Sequence, residues 1–119
     1  MEGFIMLSRS AYNHPVMNDG VALQCFIKIA LKTRIAPGIE FLGSQKIMLE
    51  VGQCVISRRA LAEELDLTPD KVRHALERLK KLGLIDAKNV KKGTIITDCS
   101  GFINHAHFTP TLRPNLDQT

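Results

Sequence analysis

The stretch from Ser57 to Asp98, SRRALAEELDLTPDKVRHALERLKKLGLIDAKNVKKGTIITD, leaves this chain few folds to choose from. Its apolar residues recur first at helical spacing and then by alternation, and each change of period is marked by a residue that causes it. Ser57 stands before Arg58, where a hydroxyl can accept a bond from an orphan backbone N–H of a first helical turn. Ala60, Leu61 and Leu65 then repeat as a helix requires, with Glu63 and Glu64 on the other side. Thr68-Pro69-Asp70 restarts the count: a capping hydroxyl, a proline suited to the first helical position, and a carboxylate that favours the positive helix start. Val72, Ala75, Leu76, Leu79 and Leu82 form the apolar stripe of the second helix, and Gly83 ends it.

Beyond Gly83 the period drops to two. Leu84 to Lys88 alternates apolar and polar as a half-buried strand does. Asn89 to Gly93 reads as a turn with two lysines at its tip, and Thr94 to Thr97 is a β-branched return strand. Gln53 to Ile56 supplies a third strand. The expected fold is α+β, mainly α: a winged helix-turn-helix with a small antiparallel sheet and an added N-terminal strand and helix segment. The helix-turn-helix covers 57–83 and the wing 84–98, inside one domain over 1–103; 104–119, with Pro110 and Pro114, reads as a tail or the start of a linker.

A chain of 119 residues is one domain. Its net charge of +4 and sequence pI near 9.2 permit a nucleic-acid partner without demanding one. Cys25, Cys54 and Cys99 are far apart, odd in number and in apolar contexts, which fits a reducing compartment and no local zinc site. The N-terminus lacks the pattern of a signal peptide, and the longest apolar stretch, Val21 to Leu31, is too short for a membrane span. A cytoplasmic protein without a membrane partner is expected. Upstream, Gly3 to Leu7 is a short extended candidate for an added edge strand. Ser8 to Tyr12 is a helical turn ended by His14-Pro15. A largely buried helix follows Asn18-Asp19, with Val21, Leu23, Phe26, Ile27, Ala30 and Leu31 as its apolar residues. Ala36-Pro37-Gly38 opens a loop docked by Phe41 and Leu42, and Ile47 to Leu49 starts a strand.

The order Gly3-Phe4-Ile5-x-Leu7-x-Arg9-Ser10, Phe26-Ile27 in a helix, Gly52-Gln53, and Ser57-x-Arg59-x-Leu61-Ala62 resembles the N-terminal domains of phage and prophage replisome organisers, which are DnaD-like winged helices. Leu61 to Leu65, Val72-Arg73 and Leu79 to Ile85 are similar to the broader bacterial winged-helix pattern. The likeness spans about residues 3 to 103. Such organisers often carry a tryptophan near the position of Phe4, and this chain has none. The resemblance implies stoichiometric binding of duplex DNA by a homodimer or higher oligomer that assembles replication proteins.

In a DNA-reading winged helix the second helix enters the major groove. Lys71, Arg73, His74, Arg78 and Lys81 fall outside its apolar stripe, and lysine or arginine there bonds guanine edges or phosphate. Arg58 begins the first helix where a phosphate would meet guanidinium and free N–H groups, and Lys88, Lys91 and Lys92 belong to the wing. The plainer account makes these residues a solvated face, with Glu77 and Lys81 an i,i+4 pair, Arg59 tied to nearby acids, and Asp70 and Glu77 diluting the field. His105 and His107 form an HxH without a third ligand, His14 is a turn residue, and no arrangement singles out a nucleophile, base or cofactor loop. A DNA-binding protein without catalysis, cofactor or metal is therefore expected. The rivals are a winged helix used for protein contact, through Phe4 to Leu7, and a transcriptional regulator of one operator.

Overall fold

The computed structural model describes residues 5–104. They form an α+β arrangement of three α-helices, two short 3-10 helices and three small antiparallel sheets. Strand and α-helix hold nearly equal numbers of residues, so the balance is less helical than the sequence suggests. In chain order the elements are β1 (Met6–Leu7), 3-10 turns at Arg9–Asn13 and Pro15–Asn18, α1 (Gly20–Lys32), β2 (Gly38–Leu42), β3 (Gln45–Leu49), β4 (Gln53–Ile56), α2 (Arg58–Leu65), α3 (Pro69–Lys81), β5 (Ile85–Val90), β6 (Gly93–Asp98) and β7 (Ile103–Asn104).

Side-chain acceptors open the α-helices. Asp19 Oδ1 accepts from Ala22 N at 3.1 Å, Ser57 Oγ from Ala60 N at 3.3 Å, and Thr68 Oγ1 from Lys71 N at 3.2 Å. The helix ends of the central pair match as well. At the end of α2, Leu67 N donates to Ala62 O (2.8 Å) and Asp66 N to Glu63 O (3.3 Å), with Asp66 at φ 56°. At the end of α3, Leu84 N donates to Leu79 O and Gly83 N to Lys80 O, both at 3.0 Å, with Gly83 at φ 77°. Both are Schellman closures, in which a left-handed residue turns the chain out of the helix. The residues between α2 and α3 are thus a fixed corner rather than a loose link.

The helices bury one face each. Val72, Ala75, Leu76 and Leu79 of α3 meet Leu61 and Ala62 of α2 and Ala22, Cys25, Phe26, Ile29 and Ala30 of α1 in a single core. On α1 Phe26 and Ala30 are buried as expected, but Ala22, Cys25 and Ile29 are the other buried positions in place of Val21, Leu23, Ile27 and Leu31. Val21, Leu23 and Ile27 are half-buried and Leu31 is 46% exposed, because 22, 25, 26, 29 and 30 hold the i,i+3,i+4 spacing that faces α3. The three-stranded sheet has the order β4-β6-β5 and closes the other side of the core with Cys54, Ile56, Ile85 and Ile96.

Three local expectations change. The β5–β6 ladder runs unbroken from Ile85↔Asp98 to Val90↔Gly93, so Asn89, Val90 and Gly93 are strand and only Lys91-Lys92 is loop. The segment after Gly38, expected as a loop, is a hairpin: β2 pairs β3 from Gly38↔Leu49 to Leu42↔Gln45 around Gly43-Ser44. A positive φ of 64° at Gly43 alone suits a two-residue hairpin turn with glycine first. The N-terminal strand does not extend the larger sheet. Met6 and Leu7 pair with Asn104 and Ile103 in a sheet of their own, which also takes Asn104 out of the expected tail. The remaining positions of that tail, with His105 and His107, lie outside the described residues.

Gly83 has open space where a Cβ would sit, so its replacement costs backbone strain only. Gly83→Ala is expected to lower unfolding free energy by about 1–2 kcal/mol in a urea titration, whereas Asp66→Gly, which relieves the same strain, raises it by about 0.5 kcal/mol.

Candidate nucleic-acid interface

α3 presents its outer side chains by simple geometry. With Val72, Ala75, Leu76 and Leu79 turned to the core, Lys71, His74, Arg78 and Lys81 follow one another at intervals of three and four residues on the opposite side. All four are exposed. His74, Arg78 and Lys81, with Glu77 and Lys80, line a shallow open depression along the C-terminal half of the helix. Lys80 was not among the residues singled out from the sequence; its position in the last turn beside Lys81 is the signal that pointed to it.

The cations divide into those already neutralised and those that are not. Arg73 lies between Asp70 (3.4 Å, three residues back) and Glu77 (3.5 Å, four residues on). It is thus spent within its own helix, and it quenches the two carboxylates that would otherwise dilute the field of α3. Glu77 pairs backwards with Arg73, and no ion pair joins it to Lys81. Arg78 Nε reaches Asp19 Oδ2 at 3.4 Å while the other oxygen of Asp19 caps α1, so this guanidinium holds two helices together as well as facing outward. Arg58 Nη2 donates to Asn89 Oδ1 at 3.2 Å, and Asn89 also accepts from Thr94 Oγ1 at 3.3 Å, which fastens the start of α2 to the β5–β6 hairpin. Arg59 is exposed and makes no ion pair among the described residues, so the tie with nearby acids that the plainer account offers it is not formed.

Lys88, Lys91 and Lys92 are all exposed on the hairpin. Lys92 runs over the turn of the neighbouring β2–β3 hairpin, where its Nζ would stand 3.2 Å from a Cβ at Gly43. The two hairpin tips meet a second time at Gly93. A Cβ there would sit 2.7 Å from Ile56 O and 2.7 Å from Leu42 Cδ2, so only glycine fits. The expected contact residues are therefore brought onto three adjoining elements, with Arg73 withdrawn by its partners and Arg59 and Lys80 added.

Elsewhere the chemistry is that of packing. Cys54 is buried with its Sγ 3.9 Å from Ile29 O, and burial pushes its thiol up to about 12; burial, with the charge of Asp19, also raises Cys25. Cys99 departs from its expected apolar context and is exposed. Among the described residues no group of three His, Cys, Asp or Glu could hold a metal ion, and no helix is long and apolar enough to cross a membrane. No protein-family model, no curated protein and no solved structure matches this chain.

Alkylation of the native protein with iodoacetamide should modify Cys99 alone, with Cys25 and Cys54 reacting only in denaturant. A thiol whose folded pKa is raised contributes stability below its ordinary value of 9.0 and loses it as pH climbs towards 12. The stability advantage of the wild type over Cys54→Ala should therefore shrink above pH 9, which chemical denaturation at stepped pH would read.

Proposed function

We propose that the segment from Ser57 to Asp98 is a winged helix-turn-helix and that the chain uses it to bind duplex DNA. In this reading α3 lies in the major groove with Lys71, His74, Arg78 and Lys81 towards the bases and phosphates, Arg58 and Arg59 meet the backbone at the start of α2, and Lys88, Lys91 and Lys92 reach an adjacent stretch. One observation carries the proposal. Lys28, Lys32 and Arg34 are held in ion pairs with Glu64 and Glu40. Outside the segment only Arg9 and Lys46, of the basic residues described, lack such a pair. Inside it Arg58, Arg59, Lys71, Lys80, Lys81, Lys88, Lys91 and Lys92 all lack one. Glu63, Asp66 and Asp86 of the segment also make no ion pair among the described residues, so these eight cations leave a positive surplus on the elements that a winged helix sets against DNA, which is the electrostatic footprint of phosphate binding.

Within this reading the resemblance of the N-terminal half to replisome organisers favours replication over the control of a single operator: non-catalytic coating of origin-like DNA and recruitment of replication proteins in a reducing, cytoplasmic compartment. A protein-contact module is the second reading. It draws on a different observation, the apolar residues left in solvent on β2 and β3.

Fluorescence anisotropy of a labelled random duplex, titrated with the full chain at several salt concentrations, tests the proposal. The affinity is expected to fall steeply with salt. Lys71→Ala and Lys81→Ala should each lessen the slope of log K against log salt by about 1, and Arg9→Ala, outside the segment, should leave it unchanged. An absence of binding at low salt, or binding indifferent to both lysines, would overturn the DNA reading and leave the protein-contact module standing.

A further inference from the structure

The β2–β3 hairpin has one face that the rest of the molecule covers and one that it does not. On the inner face Ile47 and Leu49 are 4% and 1% exposed, with Gly38, Glu40, Leu42 and Gln45 half-buried. Arg34 anchors the same face, its Nη1 3.0 Å from Glu40 Oε2 and its backbone bonded to Gly52 and Gln53. On the outer face Ile39 is 45%, Phe41 68% and Met48 75% exposed. Ile39 and Met48 are direct cross-strand partners, and Phe41 is the partner of Lys46. Ile35 and Val51, in the segments flanking the hairpin that the Gly52 N to Arg34 O bond joins, are 51% and 43% exposed. An alternating strand normally turns its polar residues outward. Here both faces are apolar, and the outer one has no occupant in the monomer.

The charges around this face identify the occupant. Along β3 the outward positions are Lys46 and Met48, and the exposed Glu50, just past the strand end, continues their two-residue spacing. Lys46 and Glu50 are exposed, opposite in sign and without an ion-pair partner among the described residues. The pattern is its own complement about Met48. A two-fold axis beside Met48 sets the β3 strand of a second copy antiparallel to the first, with Met48 against Met48, Lys46 facing Glu50 of the other copy, and the reciprocal pair formed by symmetry. An unrelated partner would have no reason to match a palindromic arrangement.

We propose that two copies of this chain associate through the outer faces of their β2–β3 hairpins. Three exposed apolar side chains, Ile39, Phe41 and Met48, with a charged rim form a patch smaller than the roughly 800 Å² that each side of a standard interface buries. The dimer is accordingly of the weak, concentration-dependent kind. It owes nothing to the DNA reading. It is a different surface from the N-terminal contact expected from the sequence, of which Phe4 lies outside the described residues and Met6 and Leu7 pair with Asn104 and Ile103 of their own chain.

Sedimentation velocity of the full chain, without DNA and over a wide concentration range, tests this. The wild type should pass from monomer to dimer in the micromolar range. Met48→Lys, which sets two like charges on the axis, should hold it monomeric. Lys46→Glu and Glu50→Lys should each weaken the dimer at least about tenfold, and the double charge exchange should restore it. Thermal melts serve as the folding control, and these exposed substitutions should leave them nearly unchanged. The proposal is overturned by a wild type that stays monomeric throughout, or by a dimer that Met48→Lys does not disturb. Failure of the double exchange to recover what either single change removes would overturn the two-fold arrangement.

Discussion

The rest of the domain depends on the contact between α1 and α3. These two helices, the longest present, bury Ala22, Cys25, Phe26, Ile29 and Ala30 against Val72, Ala75, Leu76 and Leu79, and small residues at 22, 30 and 75 let them come close. Asp19 acts at the edge of that contact with both oxygens, capping α1 through Ala22 N and holding Arg78 of α3. Once α3 is fixed against α1, its outward residues are fixed as well. α2 is then set by the left-handed Asp66 on one side and by the Lys28 and Lys32 pairs with Glu64 on the other. Exposed ion pairs of this kind add only a few tenths of a kcal/mol each, so they select an orientation that the apolar contact already stabilises.

The same rigidity gives the basic surface its character. A set of lysines scattered over flexible loops would lose side-chain entropy and gain little direction on meeting a polyanion. Here the cations stand on a helix locked at both ends and on a hairpin with a two-residue loop. The Arg58–Asn89–Thr94 bonds join the first helix of the pair to that hairpin, so the charged elements keep a constant spacing. Arg73 serves this arrangement from within: by binding Asp70 and Glu77 it turns a mixed helix face into one whose remaining charge is positive.

Where local chemistry sets the structure, the sequence was legible. Ser57, Thr68, Pro69 and Gly83 each announce a helix boundary through one hydrogen bond or one dihedral, and the apolar stripe of α3 is unambiguous because polar residues fill every other position. The stripe of α1 was not legible, because nearly all of its residues are apolar and only the tertiary partner decides which are deepest. The β2–β3 hairpin was missed although Gly43-Ser44 between two alternating runs is a hairpin signal; Ala36-Pro37-Gly38 in front of it reads as the opening of a loop, and apolar residues on both faces blur the alternation. The state of each cation was invisible for a third reason. Whether Arg73 or Arg59 finds a carboxylate depends on rotamers and neighbours that spacing alone does not choose.

The close approach at Gly93 carries a consequence for how this chain can vary. Leu42 and Gly43 of one hairpin pack on Lys92 and Gly93 of the other, with the carbonyl of Ile56 beneath. Two turns that are ordinarily the freest parts of a fold are here each other's wall. A Cβ at Gly93 would meet the Ile56 carbonyl as well as Leu42, so that position stays glycine, whereas a side chain at Gly43 would have to displace the Lys92 side chain and adopt a left-handed φ. Across descendants of this chain the two tips should keep fixed lengths, and that would leave a record of the contact in sequence variation alone.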